Sequence, residues 1–277
     1  MIHDIFPHQF NNQYQNRKIL DLDLVVLFDG QKVLLSCDGK LPTYQVVKHF
    51  DIDFQYACSL DGKAFFVTRK EQEPIQLDGY RYVAKQAFRQ SLTSEDRAFW
   101  HTILSCWHIY KWYTMHQYCG HCGKELVHSS KERMLYCPHC KAMFYPTISP
   151  CVIVGVVNKD KILMSKYAGR AYGGYAFLAG FIEIGETPEQ AICREVMEEV
   201  GLKVKNIRYY KSQPWSTDCN LLLGYYCELD GEDTIVLDQE ELAMADWYSR
   251  DEIQIQDTGI TLTYEMISYF KNHPEEF

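Results

Sequence analysis

Two pairs of cysteines are the feature of this chain that most restricts how it can fold. Cys119 and Cys122 form one Cys-x2-Cys pair, Cys137 and Cys140 form the second, and 14 residues separate the pairs. Two such knuckles place four thiolates around one tetrahedral ion, which is the arrangement of a structural Zn²⁺ site. A closed shell of four sulfurs leaves no open coordination position. We therefore expect a structural zinc ion in each chain, held by a zinc ribbon over residues 118–147.

The cysteine content also bears on where the protein works. The chain has eleven cysteines, an odd number, and its first residues lack the basic end and apolar core of an export signal. Metal ligation and free thiols are therefore expected instead of disulfides, in a cytoplasmic protein. No apolar run approaches the ~20 residues of a membrane helix, so we expect no membrane partner. The net charge of −9 argues against broad non-specific binding to nucleic acid.

Composition, turn signals and hydrophobic periodicity divide the chain into four segments. Short β-like runs separated by Asp-Gly turns predict a small β-rich domain over residues 1–92. Residues 93–117 predict a connecting helix with an apolar aromatic face and Ser94 as its N-cap. The zinc ribbon follows, and residues 148–277 predict a mixed α/β (α+β) domain, because strand-like runs there alternate with few helices.

Two strand-like runs in the last domain flank an unusual stretch. KVKNIRYY and LLLGYYCEL predict strands, and KSQPWSTDCN, residues 211–220, is predicted to be the turn between them. Trp215 is odd in a turn, where Gly, Asn, Asp or Ser are usual. A last helix is predicted over about residues 261–271.

The candidate catalytic residues lie on a predicted helix that is rich in glutamate. Thr187 is a good N-cap, Pro188 suits the first helical position, Gln190 completes a capping box, and Gly201 is a natural stop. These signals predict a helix over residues 188–200. On it, Glu195, Glu198 and Glu199 follow the i, i+3, i+4 spacing and share one face.

The shared face has two interpretations. Three like charges can simply form a solvated acidic surface. However, the helix follows a glycine-bounded loop over residues 180–185, which is rich in backbone donors and carbonyls. A fixed carboxylate cluster beside such a loop is what Mg²⁺ needs, because Mg²⁺ takes oxygen ligands and shares them with substrate phosphates.

The segment resembles the box of the Nudix hydrolases, Gly-x5-Glu-x7-Arg-Glu-U-x-Glu-Glu-x-Gly-U, where U is aliphatic. The matching positions are Gly180, Glu186, Arg194, Glu195, Val196, Glu198, Glu199, Gly201 and Leu202. The resemblance implies a Nudix fold, with a mixed sheet between helices, and hydrolysis of nucleoside diphosphate derivatives with Mg²⁺ or Mn²⁺. It further implies that Glu195 and Glu199 bind metal. Glu198 binds metal or activates water, Arg194 orients the carboxylates, and Glu186 supports the loop.

The zinc ribbon and the SQPW run at 212–215 are similar to the NADH pyrophosphatase (NAD-capped RNA decapping) branch of that family. This resemblance implies that the Ala179 carbonyl and Glu241, with Glu240 as the alternative register, complete the metal shell. It implies substrate contacts from Arg89, Glu132, Tyr145 and the backbone of Thr263. It also implies a homodimer, and a nucleotide pocket lined by Gln213, Pro214, Trp215, Ser216, Thr217, Asp218, Cys219 and Asn220.

The expected reaction is hydrolysis of NAD(H), a small-molecule dinucleotide, to AMP and nicotinamide mononucleotide, and removal of NAD caps from RNA. After SQPW, however, the branch continues Pro-Phe-Pro-x-Ser, whereas this chain has Ser216 to Asn220. Loss of the aromatic ring would remove ~1–3 kcal/mol of base stacking. Another Nudix substrate, such as ADP-ribose, a nucleotide sugar or a dinucleoside polyphosphate, is therefore the alternative. An inactive zinc-ribbon nucleic-acid-binding protein is a third reading, against which the intact glutamate set argues.

Overall fold

A computed structural model describes residues 1–90, 93–169, 174–254 and 258–277, with the backbone alone at Phe88 and Gln90. The chain forms two compact units. One contains residues 148–215 and 220–277 together with Met1, and the other contains residues 2–147 and 216–219. The boundary predicted at residue 92 lies outside the described residues, so the further division of the N-terminal unit stays a prediction.

The N-terminal unit is rich in short strands, as the sequence predicted. In its described residues, β1, β5, β6 and β2 form one sheet, β3, β4 and β7 form a second, and β10, β9 and β8 form the sheet of the ribbon. The predicted turns at Gly30, Gly39 and Gly62 are present, each with the positive φ that favours glycine. The strands are β1 Phe10–Asn11, β2 Leu24–Val26, β3 Phe28–Asp29, β4 Lys32–Ser36, β5 Phe54–Leu60, β6 Lys63–Thr68, β7 Tyr80–Ala84, β8 Val127–His128, β9 Leu135–Tyr136 and β10 Met143–Phe144.

The described residues of this unit form two α-helices, α1 Tyr44–Val47 and α2 Ser94–Met115. The predicted N-cap of α2 is wrong by one residue. Thr93 has extended backbone angles and its hydroxyl accepts a hydrogen bond from the Asp96 amide at 3.0 Å. Ser94 is already helical, so its own hydroxyl cannot take the capping position. None of the helices in the described ranges is long and apolar enough to cross a bilayer.

The C-terminal unit is one mixed sheet between two helices, which confirms the predicted architecture. The strand order is β14-β15-β11-β12-β16, and β13 also pairs with β11. Its elements are β11 Ser149–Asn158, β12 Lys161–Tyr167, β13 Leu178–Phe181, α3 Pro188–Val200, β14 Val204–Trp215, β15 Asn220–Leu229, β16 Leu242–Ser249 and α4 Leu262–Asn272.

Strand β11 shows why helices cover both faces of this sheet. Val152, Val154 and Val156 belong to the core that includes the apolar residues of α3, whereas Ile153 and Val157 belong to the core that includes those of α4. Because successive side chains of a strand point to opposite faces, the continuous apolar run of β11 contributes side chains to both cores.

The predicted turn at residues 211–220 is shorter than expected. Strand β14 continues to Trp215, which pairs with Asn220, and Pro214 pairs with Leu221. Only residues 216–219 form the tip between the strands. Pro214 is tolerated because β14 is the edge strand of the sheet, where a missing N–H breaks no ladder. Trp215 is therefore a strand residue, which resolves its odd place in a turn.

Gln213 fixes helix α4 against β14. Its side chain is 0% exposed, its Nε2 donates to the Ile260 carbonyl at 2.8 Å, and its Oε1 accepts from the Leu262 amide at 2.7 Å. Thr261 is the N-cap of α4, so the helix begins at Leu262, one residue later than predicted, and the Thr261 hydroxyl accepts from the Tyr264 amide. One amide side chain thus satisfies backbone groups on either side of this cap.

Replacing Gln213 with Leu should destabilise the protein by about 2–4 kcal/mol, because it leaves a buried carbonyl and a buried amide without partners. Urea unfolding of the variant measures the loss. Gln45→Ala is the control, since Gln45 is exposed. Equal stability of the two variants would show that the buried amide does not hold α4.

Candidate functional site

Helix α3 is as the sequence predicted. Thr187 accepts from the Gln190 amide, the Gln190 side chain accepts from the Thr187 amide, and Pro188 occupies the first turn. Gly201 ends the helix with φ of 68°. The helix therefore begins and ends at fixed residues, and the carboxylates between them have a defined direction.

Arg194 joins the loop to the helix through one guanidinium group. Its Nε and Nη2 each donate to Glu186 at 2.9 Å, and its Nη1 donates to Glu195 at 2.7 Å and to Glu198 at 3.1 Å. Nη2 also donates to the Phe181 carbonyl at 2.9 Å. This proximity holds the pKa of the Glu186 carboxyl below its usual value. The arrangement matches the orienting role expected for Arg194 and the supporting role expected for Glu186.

The carboxylate of Glu195 lies directly on the backbone of Gly180. A Cβ added to Gly180 would come within 1.9 Å of the Glu195 Cδ and Oε1 atoms. The first glycine of the motif is therefore required by space, since any side chain would displace this carboxylate. Burial raises the pKa of Glu195, and the charges of Glu198 and Glu241 raise it further. The charge of Glu241, which precedes β16, therefore acts on Glu195, and its role as a metal ligand, with Glu240 as the alternative register, stays a prediction.

Glu199 is only 2% exposed, although it is a carboxylate on a helix that also presents exposed acids. Burial raises the pKa of the Cys151 thiol on β11 to about 12, and the charges of Glu195 and Glu199 add to this effect. The sequence identified Cys151 only as a small buried residue. Nothing local in the sequence could have placed it there, since the neighbourhood arises from the pairing of β11 with β13.

These residues fit a hard divalent cation by the chemistry of their donors. Glu195, Glu199 and Glu241 offer carboxylate oxygens, and Ala179, next to Gly180 on β13, offers a backbone carbonyl. Hard cations take such oxygen ligands and offset clustered negative charge. Among the described residues, only the four ribbon cysteines place three or more His, Cys, Asp or Glu ligand atoms within 4.8 Å of one another. The carboxylates are therefore more widely spaced than the thiols.

The four cysteines form a compact sulfur site in the N-terminal unit. The Sγ atoms of Cys122 and Cys137 are 3.4 Å apart, and those of Cys119 and Cys140 are 3.5 Å apart. The two knuckles have the same backbone pattern. The Cys119 carbonyl accepts from the Gly123 amide at 2.8 Å, and the Cys137 carbonyl accepts from the Lys141 amide at 3.0 Å. This is the donor set of a structural zinc site.

Three expected substrate contacts lie elsewhere in the N-terminal unit. Arg89 is exposed on a short 3₁₀ helix over residues 85–90. Glu132 and Tyr145 are exposed neighbours in the ribbon, where the Tyr145 hydroxyl donates to Glu132 at 3.5 Å. The structure brings the last two together, and their contact with substrate stays a prediction.

The residues expected to line the nucleotide pocket differ in exposure. Gln213 is fully buried and bonded to the backbone on both sides of the cap of α4, whose second residue is Thr263, and its contact with a nucleotide stays a prediction. Ser216 is also buried. Pro214 and Asp218 are exposed, and Trp215, Thr217, Cys219 and Asn220 are partly exposed.

Known proteins resemble the chain in both segments. Residues 148–269 match the NUDIX domain, and residues 115–145 match the NADH pyrophosphatase zinc ribbon domain. A protein of Photorhabdus laumondii named NAD-capped RNA hydrolase NudC is 36% identical over 210 residues, 76% of this chain and 81% of that protein. One of the same name from Escherichia coli O9:H4 (strain HS) is 45% identical over 145 residues, 52% of this chain and 56% of that protein.

A solved structure agrees in fold. The crystal structure of a Nudix hydrolase from Nitrosomonas europaea superposes with a TM-score of 0.50 at 22% identity, covering 57% of this chain and 93% of that one. The chain belongs to the Nudix hydrolase family, in the branch that carries an NADH pyrophosphatase zinc ribbon before the Nudix domain.

Replacing Gly180 with Ala should displace the Glu195 carboxylate and weaken Mn²⁺ binding by about tenfold or more, as loss of a ligand's support does. Titration of Mn²⁺ followed by electron paramagnetic resonance measures this directly. Gly120→Ala is the control, because a Cβ there meets no atom within 4 Å. Unchanged Mn²⁺ affinity in Gly180→Ala would contradict the assignment of Glu195 as a ligand.

Metal analysis of the purified protein should find about one zinc ion for each chain. Cys137→Ser should lose the zinc and lower the melting temperature, because the bound ion joins the two knuckles and its binding free energy contributes to folding. Cys193→Ser is the control, since Cys193 is exposed on α3. A stable, zinc-free wild-type protein would contradict the structural site.

Proposed function

We propose that this enzyme hydrolyses the pyrophosphate bond of NAD(H) to give AMP and nicotinamide mononucleotide, and that it also removes NAD caps from RNA. The observation that carries the proposal is the Glu195 carboxylate held between Gly180 and Arg194. A carboxylate held in one position in this way is typical of sites where charge is positioned for a chemical reaction. The relatives named NAD-capped RNA hydrolase NudC support the choice of substrate.

Different residues of the site are expected to bind the metal and to activate the water. Glu195, Glu199, Glu241 and the Ala179 carbonyl would hold Mg²⁺ or Mn²⁺, which when bound offsets charge on the phosphate oxygens and lowers the pKa of a bound water. Glu198 has the most exposed carboxylate among the partners of Arg194. We infer that it accepts a proton from water, and its bond to Arg194 supports this role by keeping its direction fixed.

A second specificity remains open for this site. The tip after SQPW lacks the aromatic residue of the branch signature and carries Asp218. Loss of the ring weakens stacking on a substrate with two aromatic ring systems, which favours the smaller ADP-ribose, whereas the charge of Asp218 repels both anionic substrates. Comparing the kcat/KM values for NADH and ADP-ribose decides between the two.

We further propose a cytoplasmic homodimer. None of the eleven cysteines forms a disulfide, which is usual in a reducing compartment. The ribbon exposes the large apolar side chains of Tyr118, Met143 and Tyr145, which a second copy would cover. Light scattering coupled to gel filtration should give twice the chain mass, and a monomer mass would overturn the dimer.

Glu199→Gln should lower kcat for NADH hydrolysis by about 100-fold or more, since each 1.36 kcal/mol lost from transition-state stabilisation is tenfold. Product analysis with NADH and Mg²⁺ or Mn²⁺ measures the loss. Glu189→Gln is the control, because Glu189 is an exposed acid in the first turn of the same helix. Full activity in Glu199→Gln would show that this carboxylate does not serve the reaction.

A further inference from the structure

The tip of the β14–β15 hairpin is held by two side chains outside the hairpin. The carbonyl oxygen of Thr217 accepts a hydrogen bond from Lys85 Nζ at 2.9 Å and another from Trp107 Nε1 at 3.2 Å. A carbonyl oxygen has two lone pairs, so this group is fully satisfied by the pair. Thr217 therefore presents its backbone to the protein, which fixes the orientation of the tip.

Lys85 is unusual because it is a lysine with only 2% of its surface exposed. Its ammonium lies 3.9 Å from the centre of the Trp107 ring, and in the described part of the chain it forms no ion pair within 4.0 Å. A buried ammonium costs free energy unless it is well partnered. A carbonyl and a ring face are its partners here, so the position serves to hold the tip.

Lys85 also connects the tip to the short helix that carries Arg89, another residue expected to contact the substrate. It begins the 3₁₀ helix over residues 85–90 that carries Arg89, and its own amide donates to the Gln31 carbonyl at 2.9 Å. One residue therefore sets the position of the tip relative to this helix.

The tip needs such an anchor because of its composition. Residues 216–219 contain no proline, so the unfolded tip has many backbone states to lose. Cys219 adopts a left-handed conformation with φ of 62°, which is strained for a residue with a side chain. The tip is therefore expected to be ordered by contacts with residues outside it, because its own sequence does little to restrict its backbone.

We propose that Lys85 and Trp107 are positioning residues that determine substrate preference, because together they fix the tip segment at residues 216–219. The inference rests on the proposed function and on the expectation, implied by the family resemblance, that the tip lines the nucleotide pocket. The two side chains act through Thr217, so their loss changes which dinucleotide is accepted and leaves the chemical step intact.

The test compares two matched pairs of variants. Trp107→Phe removes the indole donor and keeps a ring, and its control is Trp112→Phe, because Trp112 is equally buried on α2 and its Nε1 has no hydrogen-bond partner among the described residues. Lys85→Met removes the ammonium, and its control is Lys111→Met, which removes a cation near the same ring.

Two measurements are made on each full-length variant. Hydrogen exchange of the amides at residues 216–219 reports the order of the tip, and steady-state kinetics with NADH and ADP-ribose reports KM and kcat. We expect Lys85→Met and Trp107→Phe to exchange faster at the tip and to raise KM for NADH by about tenfold, with kcat within about twofold of wild type. The controls should match wild type in both measurements.

A further readout separates positioning from mere stability. Burial lowers the pKa of Lys85 to about 8, while Asp218 and Cys219 on the tip oppose this shift and Lys111 on α2 adds to it. Loss of the proton weakens the bond to Thr217, so KM for NADH should rise as the pH increases through about 8 in wild type. Lys85→Met should lack this step.

Several outcomes would overturn the inference. Unchanged exchange at the tip in both variants would do so whatever the activity, and so would a fall in kcat and melting temperature with KM and preference unchanged. Hydrolysis of neither substrate by the wild type would instead refute the proposed function, and hydrogen exchange would still decide whether the two residues hold the tip.

Discussion

The five hydrogen bonds of Arg194 are the interaction on which the rest of the site depends. A guanidinium group is planar and presents its donors in a fixed fork, so it can bind Glu186 with two atoms and still reach the helix carboxylates. The loop, the strand end at Phe181 and helix α3 are thereby locked together. Because like charges on α3 would otherwise repel, this cation also makes the carboxylate cluster sustainable before any metal binds.

Buried polar groups with hydrogen-bond partners are also found at the expected nucleotide pocket. Gln213 is bonded to backbone on both sides of the cap of α4, and Lys85 is buried against a carbonyl and a ring. Each is an expensive group to bury, and each fixes one segment that the resemblance associates with substrate. In the proposal made above, substrate preference depends on side chains that hold the expected pocket as well as on those that line it.

Much of the site was readable from the sequence because its signals are local. The capping box at Thr187, the stop at Gly201 and the spacing of Glu195, Glu198 and Glu199 all act within one helix, so helix α3 was predicted to the residue. The knuckles of the ribbon are equally local. The extent of β14 was not predictable, because Pro214 is acceptable only on an edge strand, and the sequence does not say which strand lies at the edge.

The sequence by itself determined the four-cysteine ribbon and helix α3 with its carboxylates, since each follows from residue types at fixed spacing, and the resemblance to the Nudix box implied the class of chemistry and the mixed sheet between helices. Only the tertiary structure decided which residues support that chemistry. Cys151 reaches the carboxylates through strand pairing, Gln213 is buried by α4, and Lys85 meets Thr217 from 132 positions away in the chain. Contacts between distant segments depend on how the chain is packed, and no local pattern encodes them.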